Sequence, residues 1–235
     1  MAITVGTAFT EFTVPSFDGQ FYVQYSITVE PGQNMMFVGI SAGVVASVVF
    51  NGVSMGAAKV FAATGNVSRL SIYDLLNPSV GTHNLRINLN NGTNLRVLVV
   101  SMSGVHPITP RGPTPVFTGG SFSPPRVATA ATTLGDVVVD LIIVEGFALT
   151  PAVGQTVMLN TPTADATIFT GASYKEATGT STVLSWNFTA NWSAYGAITY
   201  KPNPYETPRS IIQLGNTGNS NIILSSTGTS PITIR

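Results

Sequence analysis

Phe21-Tyr22-Val23-Gln24-Tyr25-Ser26-Ile27-Thr28-Val29 decides the fold class. Strand side chains point alternately to opposite faces. Phe21, Val23, Tyr25, Ile27 and Val29 therefore share one face, and Gln24, Ser26 and Thr28 share the other. Glu30-Pro31-Gly32-Gln33-Asn34 is a turn, and strands are predicted to follow at 35–40 and 44–50. Asn51-Gly52 is a strong hairpin signal, because both residues accept the positive φ of a type I′ turn. Residues 69–76 alternate again until Asn77-Pro78-Ser79-Val80-Gly81 stops them. Asn91-Gly92 predicts a second hairpin, pairing 85–89 with 95–102. Helical periodicity is nearly absent along the chain.

The stretch 106–125 carries six prolines and reads as an extended crossover rather than sheet interior. A crossover within one domain is preferred to a linker, since the second half offers about five strands and a small core. Those strands are predicted near 126–132, 136–145, 156–159, 182–188 and 194–200. Val137-Val138-Val139-Asp140-Leu141-Ile142-Ile143-Val144 is apolar on both faces, which marks a central strand covered on both sides. Asp140 within it reads as a satisfied structural carboxylate. The expected architecture is all-β, a single antiparallel β-sandwich over 21–200, preceded by a segment at 1–20. An extended C-terminal arm, 201–235, follows. Its short apolar pieces, Ile211, Ile212 and Leu214, then Ile222, Ile223 and Leu224, then Ile232 and Ile234, cannot bury themselves. They suit strands added to a neighbouring subunit.

Composition restricts function. Only 9% of the 235 residues are charged, there is no Cys, and His83 and His106 are the only imidazoles. Ten basic residues balance ten acidic ones. A neutral chain lacks the basic stripe of a nucleic-acid surface and has little charge repulsion to oppose association. No apolar run reaches the ~20 residues of a membrane span, and Met1-Ala2-Ile3-Thr4-Val5 does not read as a targeting signal. The expectation is folding in a host cytoplasm without disulfides. The sequons at Asn66, Asn91, Asn187 and Asn191 read as chance products of composition.

No catalytic, cofactor-binding or metal site is expected. Both imidazoles lie in turns or loops, and no Gly-x-Ser-x-Gly elbow accompanies them. Glu145, Glu176 and Glu206 are not paired by spacing as a glycosidase requires. Asp136 and Asp140 share one strand face but would need further ligands from elsewhere. Phe117-Thr118-Gly119-Gly120-Ser121 lacks the Lys and helix of a phosphate loop. Trp186, Trp192, Tyr195 and Tyr200 lie close together in sequence. Trp186 and Phe188 read as core. Trp192, in an Asn191-Trp192-Ser193 turn, and Tyr195 are the candidates for stacking on a glycan.

Three motifs carry a resemblance: Val49-Phe50-Asn51-Gly52-Val53-Ser54-Met55, Tyr73-Asp74-Leu75-Leu76-Asn77-Pro78-Ser79-Val80-Gly81-Thr82-His83-Asn84-Leu85, and Val99-Val100-Ser101-Met102-Ser103-Gly104-Val105. They resemble turns and a closing strand of β-sandwich modules encoded by bacteriophages and bacteria. Gly171-Ala172-Ser173-Tyr174-Lys175 and the Trp186 strand look similar too, so the likeness spans roughly 20–200. It implies a jelly-roll-like sandwich and brings no active site. It further implies a non-enzymatic virion component: a capsid decoration (cement) protein, or a fibre or baseplate subunit. Such a protein would assemble as a homo-oligomer, such as a trimer, and bind other virion proteins such as a major capsid protein. The alternative is a carbohydrate-binding or adhesin module.

Overall fold

A computed structural model describes residues 2–13, 22–42, 44–64, 68–90, 95–113, 115–120, 124–146, 148–162 and 168–204. No helix occurs among them. The first half contains β1 (Thr4–Val5), β2 (Phe9–Thr13), β3 (Tyr22–Val29), β4 (Gln33–Ala42), β5 (Val45–Phe50), β6 (Val53–Ser54), β7 (Val60–Thr64), β8 (Ser68–Leu76), β9 (Gly81–Leu89) and β10 (Leu95–Ser103). The second contains β11 (Val116–Gly120), β12 (Arg126–Ala131), β13 (Val137–Gly146), β14 (Thr150–Pro151), β15 (Thr156–Pro162), β16 (Ile168–Glu176), β17 (Ser181–Asn187) and β18 (Ala190–Tyr200).

The antiparallel sandwich expected for 21–200 is present, and it is built twice. In the first half one sheet runs β2–β10–β4–β8–β7, with β1 also on β10, and the other runs β3–β9–β5–β6. In the second half the order is β11–β18–β13–β16–β15, facing β12–β17–β14. Apart from β1 and β6, which have no counterparts in the second half, these are the same arrangement. In each, the outermost strands in sequence pair with each other, then the next pair inward: β2 with β10, β3 with β9, β4 with β8. The counterparts are β11 with β18, β12 with β17 and β13 with β16. This nested antiparallel pairing is the wrapping of a jelly roll. Gly32 and Gly135 enter β4 and β13 with the same φ of 88°, at equivalent turns.

Three apolar clusters order the layers. One holds Met36, Val38 and Ile40 of β4 against Val23, Ile27, Leu85 and Ile87 of the outer sheet. A second holds Val138, Ile142 and Val144 of β13 with Leu184 and Trp186. The third lies between the halves: Met35, Phe37, Ile72 and Val100 meet Val139, Leu141, Ile143 and Ile198. The molecule is therefore a stack of four sheets, outer–inner–inner–outer. The two inner sheets are covered on both faces. Both-sided burial was expected of β13; it holds for β4 and β10 as well.

Several sequence expectations need correction. The Asn51-Gly52 turn joins β5 to β6 with φ of 47° and 77°. The Asn91-Gly92 hairpin does not form as expected, because β9 and β10 lie in different sheets; residues 91–94 themselves fall outside the described set. Leu85, Ile87 and Leu89 are buried on one side of β9, whereas β10 is buried on both. Only an inner sheet can accommodate a strand buried on both faces. The N-terminal segment contributes β1 and β2 to that inner sheet. Among the described residues the second half has eight strands and its own core rather than about five strands and a small one. The Pro-rich stretch links the two sandwiches, and its later part forms β11, an edge strand. Of the predicted arm, 205–235 lies outside the described residues.

Gly39 lets the inner sheets approach closely: an added Cβ there would sit 3.0 Å from Leu141 Cδ2. Leu141 is 1% exposed. Leu141→Ala is expected to cost about 3 kcal/mol in urea unfolding, from lost transfer energy plus a void. Gly39→Ala alone should also destabilise. In the Leu141→Ala background its cost should shrink, because the new methyl occupies part of the void.

Candidate functional site

The stack buries several ionisable groups. Asp140 faces the core of the second sandwich and is fully buried. Its Oδ1 accepts from the Ser173 amide and hydroxyl, both at 2.7 Å. Its Oδ2 accepts from Trp186 Nε1 and Tyr195 Oη, both at 2.8 Å. Burial raises the carboxyl to about 6 against the opposing, smaller pull of these donors. Burial and the nearby Asp140 charge raise the Tyr195 phenol in turn, so it remains a neutral donor. Each carboxylate oxygen is occupied by side chains of the core, so this group is a structural hub, as the sequence suggested.

Asp74, buried in β8, forms a two-pronged ion pair with Arg111 of the connection; Arg111 Nε lies 2.6 Å from Oδ2. Tyr200 Oη, from β18, donates to the same oxygen at 3.3 Å. This cluster joins first half, connection and second half. The Asp74 hydrogen bonds hold the Arg111 guanidinium above its ordinary range. The backbone repeats the link, with Gly112 N on Thr199 O and Lys201 N on Pro110 O, both at 2.9 Å. Asp136 closes its own turn, accepting from the Thr133 amide and hydroxyl at 2.8 and 3.0 Å. Asp136 and Asp140 thus serve separate networks.

The histidines also have local roles. His106 Nδ1 accepts from the amides of Ile108 and Thr109, both at 3.1 Å, and so shapes the start of the connection. His83 Nε2 lies 3.0 Å from the Val80 carbonyl. A carbonyl only accepts, so Nε2 carries the proton. The ring stands edge-on to Phe50, with centroids 5.8 Å apart.

On the open face of the first outer sheet, His83 borders a cleft of about 430 Å³ lined by Gln24, Val49, Asn51, Gly52, Thr82, His83, Asn84 and Arg86. Alternation places Thr82, Asn84 and Arg86 here: Leu85 and Ile87 of β9 turn inward, so these three turn out, while the His83 ring lies on the Leu85 side of the strand, at the border of the cleft. The Asn51 amide donates to Asn84 O at 3.0 Å and holds the hairpin beside the strand. Arg86 lies 4.0 Å over the Tyr22 ring, and its Nε donates to Asn88 Oδ1 at 2.9 Å. Asn88 is fixed in turn by donation to Ser47 Oγ at 2.7 Å. The cleft lining includes no carboxylate and no lysine.

The two proposed stacking residues separate. Trp192 is 41% exposed, but it sits within β18 opposite Glu145 rather than in a turn. Tyr195 is 0% exposed with its hydroxyl on Asp140, so it cannot stack on a glycan. Trp192 and Tyr195 are three positions apart, so they face opposite sides of β18, which is exposed at Trp192 and buried by Tyr195. Trp186 is core, as expected. No group of three or more His, Cys, Asp or Glu side chains able to hold a metal occurs among the described residues. The arm residues Ile211, Ile212, Leu214, Ile222, Ile223, Leu224, Ile232 and Ile234 lie outside the described set. The sequence reading missed the Arg86 cleft. Its residues are ordinary strand-surface types, separated by up to 62 positions between Gln24 and Arg86, and only sheet pairing collects them.

No protein-family model, no curated protein and no solved structure matches this chain.

Two outcomes follow from the buried groups. Asp140 is raised to about 6 from 3.8, so the folded state holds a proton that the unfolded state has released between those values. Its contribution to stability is therefore greatest below the lower value and is lost as pH rises through about 6. Denaturation across pH 4 to 7 should show this decline in the wild type, on the order of 3 kcal/mol, and Asp140→Asn should flatten it. Arg111→Ala should strand the Asp74 carboxylate without its counter-charge and cost about 3 kcal/mol in the same assay.

Proposed function

We propose that the protein is a non-enzymatic structural component of a bacteriophage virion, a capsid decoration (cement) protein or a fibre or baseplate subunit. It assembles through low-charge β-rich interfaces into a homo-oligomer, such as a trimer, and contacts other virion proteins such as a major capsid protein. The observation that carries this reading is how the chain uses its few ionisable groups. Asp74, Asp136 and Asp140 all hold the framework together. Arg126, also buried, donates through Nε to Ser193 Oγ at 2.5 Å.

The four open sheets add a means of assembly. Among the described residues the outer edges of β3, β7, β12 and β15 have no paired strand. β3 is eight residues long. Edges of this kind accept added strands. Residues 205–235, with alternating Ile and Leu, supply candidates from a neighbouring copy. Obligate interfaces are large and comparatively apolar, which suits a chain with 9% charged residues. The motif resemblance to phage and bacterial sandwich modules supplies the virion context. The carbohydrate-binding alternative keeps Trp192, which is exposed, and loses Tyr195.

Truncation after Pro204 tests the assembly reading. The shortened protein is expected to keep the circular dichroism and unfolding midpoint of the full chain. Its mass in solution should fall to that of a monomer, and it should no longer bind particles. Particle binding at full occupancy without residues 205–235 would refute the role of the arm.

A further inference from the structure

We propose that the cleft on the outer sheet of the first half binds an acidic saccharide, with Arg86 holding the sugar's carboxylate. Arg86 is the single cation of the lining, and it is already positioned. Tyr22 covers one face of the guanidinium at 4.0 Å, and Asn88 takes Nε at 2.9 Å. The Asn88–Ser47 hydrogen bond anchors that support to β5. The two terminal nitrogens remain as a planar fork, the geometry that pairs two N–H groups with two carboxylate oxygens. Because the side chain is held before the ligand arrives, little ordering entropy is left to lose on binding.

The other walls specify more than a bare anion. Gln24, Asn51, Thr82 and Asn84 present amides and a hydroxyl that both donate and accept. Such groups match the hydroxyls spaced around a pyranose ring. Val49 and Gly52 provide a small apolar floor beside them. The volume, about 430 Å³, falls within the ordinary range of small-molecule sites. One cation among neutral polar groups suits a sugar with one carboxylate, whereas a polyphosphate or nucleic acid calls for several cations. The cleft forms on one sheet of a single copy and faces away from the seam between the halves.

Titration of the full-length protein, followed by amide NMR shifts and calorimetry, tests this. The probes are digalacturonate and sialyllactose, their methyl esters, and acetate. At least one acidic sugar is expected to move amide signals of residues 49–52 and 82–86. Its methyl ester and the Arg86→Gln protein should each bind about tenfold more weakly or worse, with Arg86→Lys between. Gln24→Ala is a second variant: Gln24 lies opposite Arg86 on β3 but makes none of the contacts that hold the guanidinium, and its loss should also weaken binding. Trp192→Ala should leave affinity unchanged. The proposal is overturned if no acidic probe shifts these signals, or if Arg86→Gln and Gln24→Ala both bind as the wild type does. Acetate binding as tightly as the sugar overturns the saccharide assignment, and loss of binding in Trp192→Ala moves the site to the second half.

Discussion

Burial of two sheets on both faces governs the structure. The inner sheets give one face to their own sandwich core and the other to the opposing half. Met36, Val38 and Ile40 look one way from β4 while Met35 and Phe37 look the other. A polar side chain on such a strand has no route to water. It must find all its partners inside or cost several kcal/mol. Asp140 meets that demand with donors from three strands, β16, β17 and β18. Asp74 meets it with Arg111 and Tyr200, and in doing so ties the connection to both halves.

The two sandwiches solve one topology with different cores. Val38 of β4 lies between Val99 and Tyr73, while Asp140 of β13 lies between Ala197 and Ser173. The first core is apolar at that level and the second is a hydrogen-bonded knot with Trp186 and Tyr195. A nonpolar core tolerates many combinations of side chains at near-constant volume. A buried carboxylate with convergent donors specifies one arrangement and makes that half sensitive to pH. The halves therefore share a fold while differing in what would disrupt them.

Surface character differs between the ends of the stack as well. The open face of the first outer sheet carries Gln24, Thr82, Asn84 and a supported Arg86. The corresponding face of the second carries Val127, Thr129, Val183 and Ser185 without a charged residue among the outward positions of β12 and β17. The two ends of the stack thus present chemically different faces, one polar with a held cation and one uncharged.

The sequence by itself determined the all-β class and most strand positions, because a two-residue period and Gly, Pro and Asn turns are local properties. It also marked β13 as central and Asp140 as structural, since an apolar run on both faces admits no other setting. It did not reveal that the sandwich occurs twice. Equivalent positions such as Val38 and Asp140, or Ile87 and Trp186, share burial and not chemistry, so no repeat is legible. Which sheet each strand joins was decided by tertiary structure: Asn91-Gly92 reads as a hairpin locally, but the need to bury both faces of β10 places it in a different layer from β9. The Arg86 cleft and the burial of Tyr195 likewise belong to the folded state. Both depend on which distant strands become neighbours, and local alternation carries no information about that.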